Sequence, residues 1–193
     1  MSRAALNQPA PADEAHSHPG PGAGWPADIL ELIMADHRRI RRLRGALQDA
    51  ARYDADAGPV WLLPHTWQRF TGLLVAHFDA EEEICYLLVF GPGPQAAGRR
   101  REAIADHDDI REAVREASLH RAGSARWWRP AMAVLAGSAE HLDRAEHDVQ
   151  AECLTRLTMS QRRALGRQWS AFISAWAQDS AHQLRPGFPR RTG

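Results

Sequence analysis

The sequence predicts an all-α protein: four long helices packed as antiparallel neighbours in a bundle, followed by an additional C-terminal helix. Three observations carry this expectation. Apolar residues recur at helical spacing, and no stretch alternates as a half-buried strand would. Short Gly- and Pro-rich breaks separate long periodic segments, and short links place consecutive helices antiparallel. The phrase Ala-Asp-His-x-x-Ile-Arg occurs at Ala35 and again at Ala105, so the chain reads as two similar halves.

The first helix is expected from about Pro26, a residue suited to an opening turn, to about Arg52. Its stripe is Ile29, Ile33, His37, Ile40, Leu43 and Leu47, and "YDADAGP" breaks it. A second helix covers roughly Val60 to Phe90, with Trp67, Phe70, Leu73, Leu74, His77, Glu81, Ile84 and Leu88 on one face. Pro64 falls in its opening turn or marks a kink. "GPGP" at Gly91 ends it. The third helix spans about Gln95 to His120, with Ile104, His107, Ile110 and Val114 in line. After "RAGS" the fourth runs from about Ala125 to Leu157, with Leu135, Leu142, Glu146, Val149 and Cys153 as its stripe. The fifth follows, with Ser160 as its expected N-cap, and packs across the outside or end of the bundle.

Composition narrows the function classes. A chain of 193 residues suits one domain, and 44% apolar with 25% charged residues is ordinary for a soluble globular protein. The bundle is expected over 25–180, with Pro-, Gly- and Ala-rich 1–24 as a disordered tail and 181–193 as a flexible one. Zero formal net charge gives no long-range attraction to nucleic acid or to an anionic membrane. No apolar run approaches the ~20 residues of a membrane span, and the N-terminus lacks the apolar core of a signal peptide. Cys85 and Cys153 lie in apolar patterns, as buried free thiols do in a reducing compartment. A cytoplasmic location is expected.

The chemistry sits in the histidines. A lone histidine on an apolar helix face is ordinarily a satisfied core residue. Here each of the four long helices carries one near mid-length: His37, His77, His107 and His141. Burying four together is costly unless something accepts their ring nitrogens, and a metal does so directly. His77 and Glu81, four residues apart, share a helix face. Four residues after His141 stands Ala145, so the repeat is imperfect; Glu146, one further on, lines up with Leu142 and Val149 instead. Five residues turn an α-helix through ~140° net, so Glu146 converges with His141 only if it reaches across or the helix widens. Histidine with carboxylate suits iron, manganese or zinc. Glu82 and Glu83 read as a solvated acidic run, and Asp36 and Asp106 either orient a ligand or face water.

The phrases "ADHRRI", "HFDAEEE", "ADHDDI" and "HLDRAE" resemble the hemerythrin-like (HHE cation-binding) family, over about Pro26 to Leu157. The resemblance implies an up-and-down four-helix bundle holding two non-haem iron ions with an oxo or hydroxo bridge. Carried across, His37 and His77 ligate one iron, His107 and His141 the other, and Glu81 and Glu146 bridge them. Oxygen-carrying members have a further histidine four residues after the third-helix ligand; this chain has Arg111 there, expected on the outer face. That departure argues against simple reversible oxygen carriage. The expected partner is a small diatomic molecule or peroxide, bound, sensed or reduced at the irons, with peroxide breakdown as one activity. The alternatives are a metal-dependent sensor or interaction module, an iron-handling protein without turnover, or a bundle that has lost its metal through Ala145. An apolar fifth helix could form a homodimer.

Overall fold

The computed structural model describes residues 27–52 and 62–183, and every regular element among them is helical. Residues 1–26, the "YDADAGP" break and 184–193 lie outside the described residues, while 181–183, where the flexible tail is expected to begin, are helical. Helix α1 is Ile29–Arg52 and α2 is Leu63–Ala80, with Pro64 in its first turn. One wide turn of π-helix, Glu81–Cys85, then joins α2 to the short α3, Tyr86–Phe90. The expected second helix is therefore continuous to Phe90 but widened by one residue in its middle. Gly91 at φ 75° and Gly93 at φ 108° end it in a backbone region that L side chains rarely adopt. Helices α4 (Pro94–Ser118), α5 (Ala125–Arg156) and α6 (Met159–Gln183) follow. None of the helices among the described residues is long and apolar enough to cross a membrane.

The caps follow ordinary chemistry. The Ser124 hydroxyl accepts from the Trp127 N–H at 3.3 Å and starts α5. For α6 the cap is Thr158 rather than the expected Ser160: its hydroxyl accepts from the Gln161 N–H at 3.3 Å. The Gln161 side chain in turn accepts from the Thr158 N–H at 2.8 Å. This reciprocal pair is a capping box, which needs a Gln or Glu three residues on, and Ser160 has Arg163 there.

Helix α1 packs on α2, α5 and α6, and α4 packs chiefly on α5. The interior divides into two apolar clusters. One gathers Ile29, Ile33, Ile84, Tyr86, Val149 and Trp169; the other gathers Ile40, Phe70, Leu74, Ile110, Trp127 and Leu135. In α1 the first cluster precedes His37 and the second follows it, whereas in α2 the second precedes His77 and the first follows. Helix α4 repeats the order of α1, and α5 that of α2. The four histidines thus form one polar layer between two apolar ones.

Helix α6 lies across α1 and α2. Its Trp169, 2% exposed, donates its indole N–H to Asp36 Oδ2 at 3.1 Å. Asp36, open to two readings from the sequence, is thus a buried anchor for this helix. Arg162 pairs with Asp28 at 2.9 Å at the same crossing. Gly166 lets the backbones meet: a Cβ there would stand 2.0 Å from the Ala27 carbonyl oxygen. Replacement of Gly166 by Ala is expected to lower the unfolding free energy by more than about 1 kcal/mol, because backbone must move. Gly45→Ala, where a Cβ meets nothing within 4 Å, is expected to raise it by about 0.5–1 kcal/mol. Denaturant midpoints of the two variants check both signs.

Candidate metal centre

Five buried side chains converge in the polar layer. His37, His77, Glu81 and His107 are fully buried, and His141 is 5% exposed. The Nε2 atoms of His37 and His77 face each other at 3.1 Å. Glu81 lies between two histidine pairs. Its Oε1 is 3.6 Å from His77 Nε2, while its Oε2 is 3.4 Å from His107 Nε2 and 3.3 Å from His141 Nε2. Two groups result, each able to offer its ligand atoms within 4.8 Å of one another: His37, His77 and Glu81, and Glu81, His107 and His141. One carboxylate belongs to both.

The π turn explains how Glu81 is shared with a residue the sequence reading did not single out. It is closed by the Tyr86 N–H bonding to the Glu81 carbonyl, five residues back. Residues five apart then fall in line, and the Tyr86 hydroxyl donates to Glu81 Oε2 at 3.0 Å. The Tyr86 hydroxyl oxygen also lies 3.1 Å from His107 Nε2. No α-helical spacing points to this pair, so no periodic signal could reveal it.

Glu146 is placed differently from the expectation that it bridges. Helix α5 is α-helical throughout, so five residues on from His141 it has rotated away from the shared centre. Its Oε1 sits 2.9 Å from His37 Nδ1, on the opposite nitrogen from the one facing His77, and it pairs with Arg41. It is outside both ligand groups. On the other side the same construction recurs: Glu82 Oε1 lies 2.7 Å from His107 Nδ1 and 2.9 Å from Arg111. Glu82 is therefore not the solvated acid expected from the sequence. Nor is Arg111 on the outer face: its side chain is 17% exposed, and it also bonds Asp79 at 2.6 Å and lies over the Phe78 ring. Arg41 and Arg111 occupy the same place in the two copies of the repeat, four residues after His37 and His107. The repeat thus encodes an arginine that holds a carboxylate from a neighbouring helix against an imidazole.

Electrostatics follow from burial. His77 is pushed down to about 3 by burial, against the pull of Glu81, so it is a free base at neutral pH. Burial raises the Glu81 carboxyl, but His77, His141 and the bond from His107 outweigh it and hold Glu81 well below the usual range. His107 is lowered by burial yet ends above its ordinary value, because Glu81 and Glu82 both bond its ring. Burial and the neighbouring Glu81 hold the Tyr86 phenol far above its ordinary range, so it keeps its proton.

These residues fit a bound cation. Glu81 Oε1 and His141 Nε2 are buried without a hydrogen-bond partner among the described residues, and a carboxylate sealed from water needs positive charge beside it. Four imidazoles and one carboxylate, with no thiolate among them, suit iron, manganese or zinc. His77 Nδ1, on the other side of its ring, has no partner among the described residues.

Comparison with known families agrees with the geometry. A family model described as the hemerythrin HHE cation binding domain matches residues 28–153. No curated protein and no solved structure is significantly similar to the chain. For a cation held on Nε2, a carboxylate on Nδ1 fixes the ring and raises its basicity. Glu82→Gln is therefore expected to weaken metal affinity by about 10–100-fold in a chelator competition. Glu83→Gln, one residue on and exposed, is expected to leave it unchanged.

Proposed function

Because the chain belongs to the hemerythrin HHE cation-binding domain family, we propose that it holds a pair of non-haem iron ions that bind or reduce a small oxidant. The observation that carries this reading is the shared carboxylate: Glu81 turns one oxygen to His77 and the other to His107 and His141. On this reading His37, His77 and Glu81 Oε1 hold one ion, and His107, His141 and Glu81 Oε2 hold the other. Three protein donors per ion leave positions for solvent or an external ligand. We further infer that alternate helices of the bundle run up and down, a reading supported by the alternating order in which they cross the two apolar clusters.

The iron pair supplies the redox change when bound. The chain's own residues do the rest. Glu146 with Arg41, and Glu82 with Arg111, hold His37 and His107 by their Nδ1 atoms, leaving Nε2 free to ligate. Phe78 stacks on His107 with centroids 4.0 Å apart, and Trp169 meets His77 edge-on at 5.4 Å. These rings exclude water and so limit access to small molecules. Tyr86 keeps a proton beside the His107 and His141 pair and can donate a hydrogen bond there. The candidates are oxygen, nitric oxide and peroxide. The buried free thiols of Cys85 and Cys153 suit a reducing compartment, which supports action in the cytoplasm.

Metal analysis of protein expressed with ample iron is expected to give about two irons per chain, with the visible absorption of a ferric pair. His77→Ala and Glu81→Gln are expected to lose both ions while keeping helical circular dichroism. Glu146→Gln is expected to retain both with weakened affinity, since it acts through His37. One iron or none in the unaltered chain would refute the pair.

A further inference from the structure

The histidine layer is not closed on every side. A groove of about 400 Å³ between α3, α4 and α5 runs down to Tyr86 and His141. Ala145 lines it, one helical turn beyond His141 and 7% exposed. His141 forms part of its floor, and the Nε2 atom of that ring, buried behind the floor, has no hydrogen-bond partner among the described residues, although it lies 3.3 Å from Glu81 Oε2. The Tyr86 hydroxyl is beside it, bonded to that same oxygen. A larger groove of about 950 Å³, walled by Arg39, Arg69, Leu73 and Trp176, reaches none of the clustered histidines.

We propose that the α3–α4–α5 groove is the route by which a small, uncharged, hydrogen-bonding oxidant of the hydrogen peroxide class reaches and docks at the His107–His141 side. Ala145 keeps it open. This inference rests on the iron reading above.

Size, polarity and charge each select the ligand. The groove holds several molecules of water or peroxide, each filling ~30 Å³ or somewhat more. The Ala145 methyl group is small enough to leave the approach to His141 clear, whereas a bulky side chain there would project over the floor. Tyr86 and His141 line it together with Phe90, Ala103 and Val149, so a molecule that reaches the floor meets an apolar surface with two polar residues beneath it. The mouth carries Glu102, Asp106 and Asp148 against Arg99 and Arg144. Both guanidiniums are engaged, Arg144 with Asp106 at 2.7 Å and Arg99 with Glu152 at 2.8 Å. Acid exceeds base at the rim, so the local field disfavours an anion and leaves a neutral molecule unaffected.

Three variants of the iron-loaded full chain test the route. Iron content and the resting absorption spectrum are measured first. If the unaltered chain holds no iron pair, the failure belongs to the reading beneath this one. Given the pair, Ala145→Leu is expected to keep its iron but to slow the spectral change driven by hydrogen peroxide more than ~10-fold. Ala145→Ser, which adds only one atom, is expected to react at nearly the unaltered rate. Asp148→Arg, on the exposed surface of α5, reverses the balance at the mouth. It is expected to raise the association rate of azide about tenfold at low salt, with the peroxide rate unchanged. An Ala145→Leu protein with full iron and an unaltered peroxide rate would overturn the route. So would an Asp148→Arg protein whose azide association is unmoved, and this measurement decides the matter if Ala145→Leu fails to load iron.

Discussion

One buried carboxylate organises this molecule. Glu81 is sealed from solvent with imidazoles on both of its oxygens, and an ionised group so placed persists only where positive charge or hydrogen bonds compensate its lost hydration. Much of the local architecture answers that constraint. The π turn brings the Tyr86 hydroxyl onto Oε2, four helices each deliver one histidine to the same depth, and apolar clusters seal the layer on both sides. A cation held by these residues would resolve the same constraint more completely than shared protons can, because Glu81 Oε1 and His141 Nε2, which have no hydrogen-bond partner among the described residues, would then be satisfied as well.

The internal repeat shows which features were kept in duplicate and which diverged. Histidine and arginine serve alike in both copies: His37 and His107 each receive a carboxylate on Nδ1, and Arg41 and Arg111 each hold that carboxylate. The aspartates have parted. Asp36 is buried beneath Trp169, where burial raises its carboxyl above the ordinary range despite the indole bond. Asp106 reaches Arg144 at the surface. The difference follows from α6, which covers the α1–α2 side and leaves the α3–α4–α5 side uncovered. Among the described residues, the histidine layer of this pseudo-symmetric bundle is thereby covered on the α1–α2 flank and grooved on the other, and Ala145 lines that groove.

The sequence by itself determined what depends on local periodicity. Stripes of Ile, Leu and Val at helical spacing, broken by Gly and Pro, place each helix close to its observed bounds, since amphipathic burial and backbone freedom act within a few residues. The repeated phrases bring out His37, His77, His107 and His141, and the four-residue step from His77 finds Glu81, because both follow from the ordinary α-helical turn. Only the tertiary structure decided the rest. Whether the helix widened at Glu81 or at Glu146 depended on packing around the layer, and the widening at Glu81 brought in Tyr86 while an unwidened α5 turned Glu146 to His37. Glu82 and Arg111 read as surface charges because each is polar on its own. They become partly buried partners only when the π turn after α2 meets α4, a contact that no spacing along one helix can express.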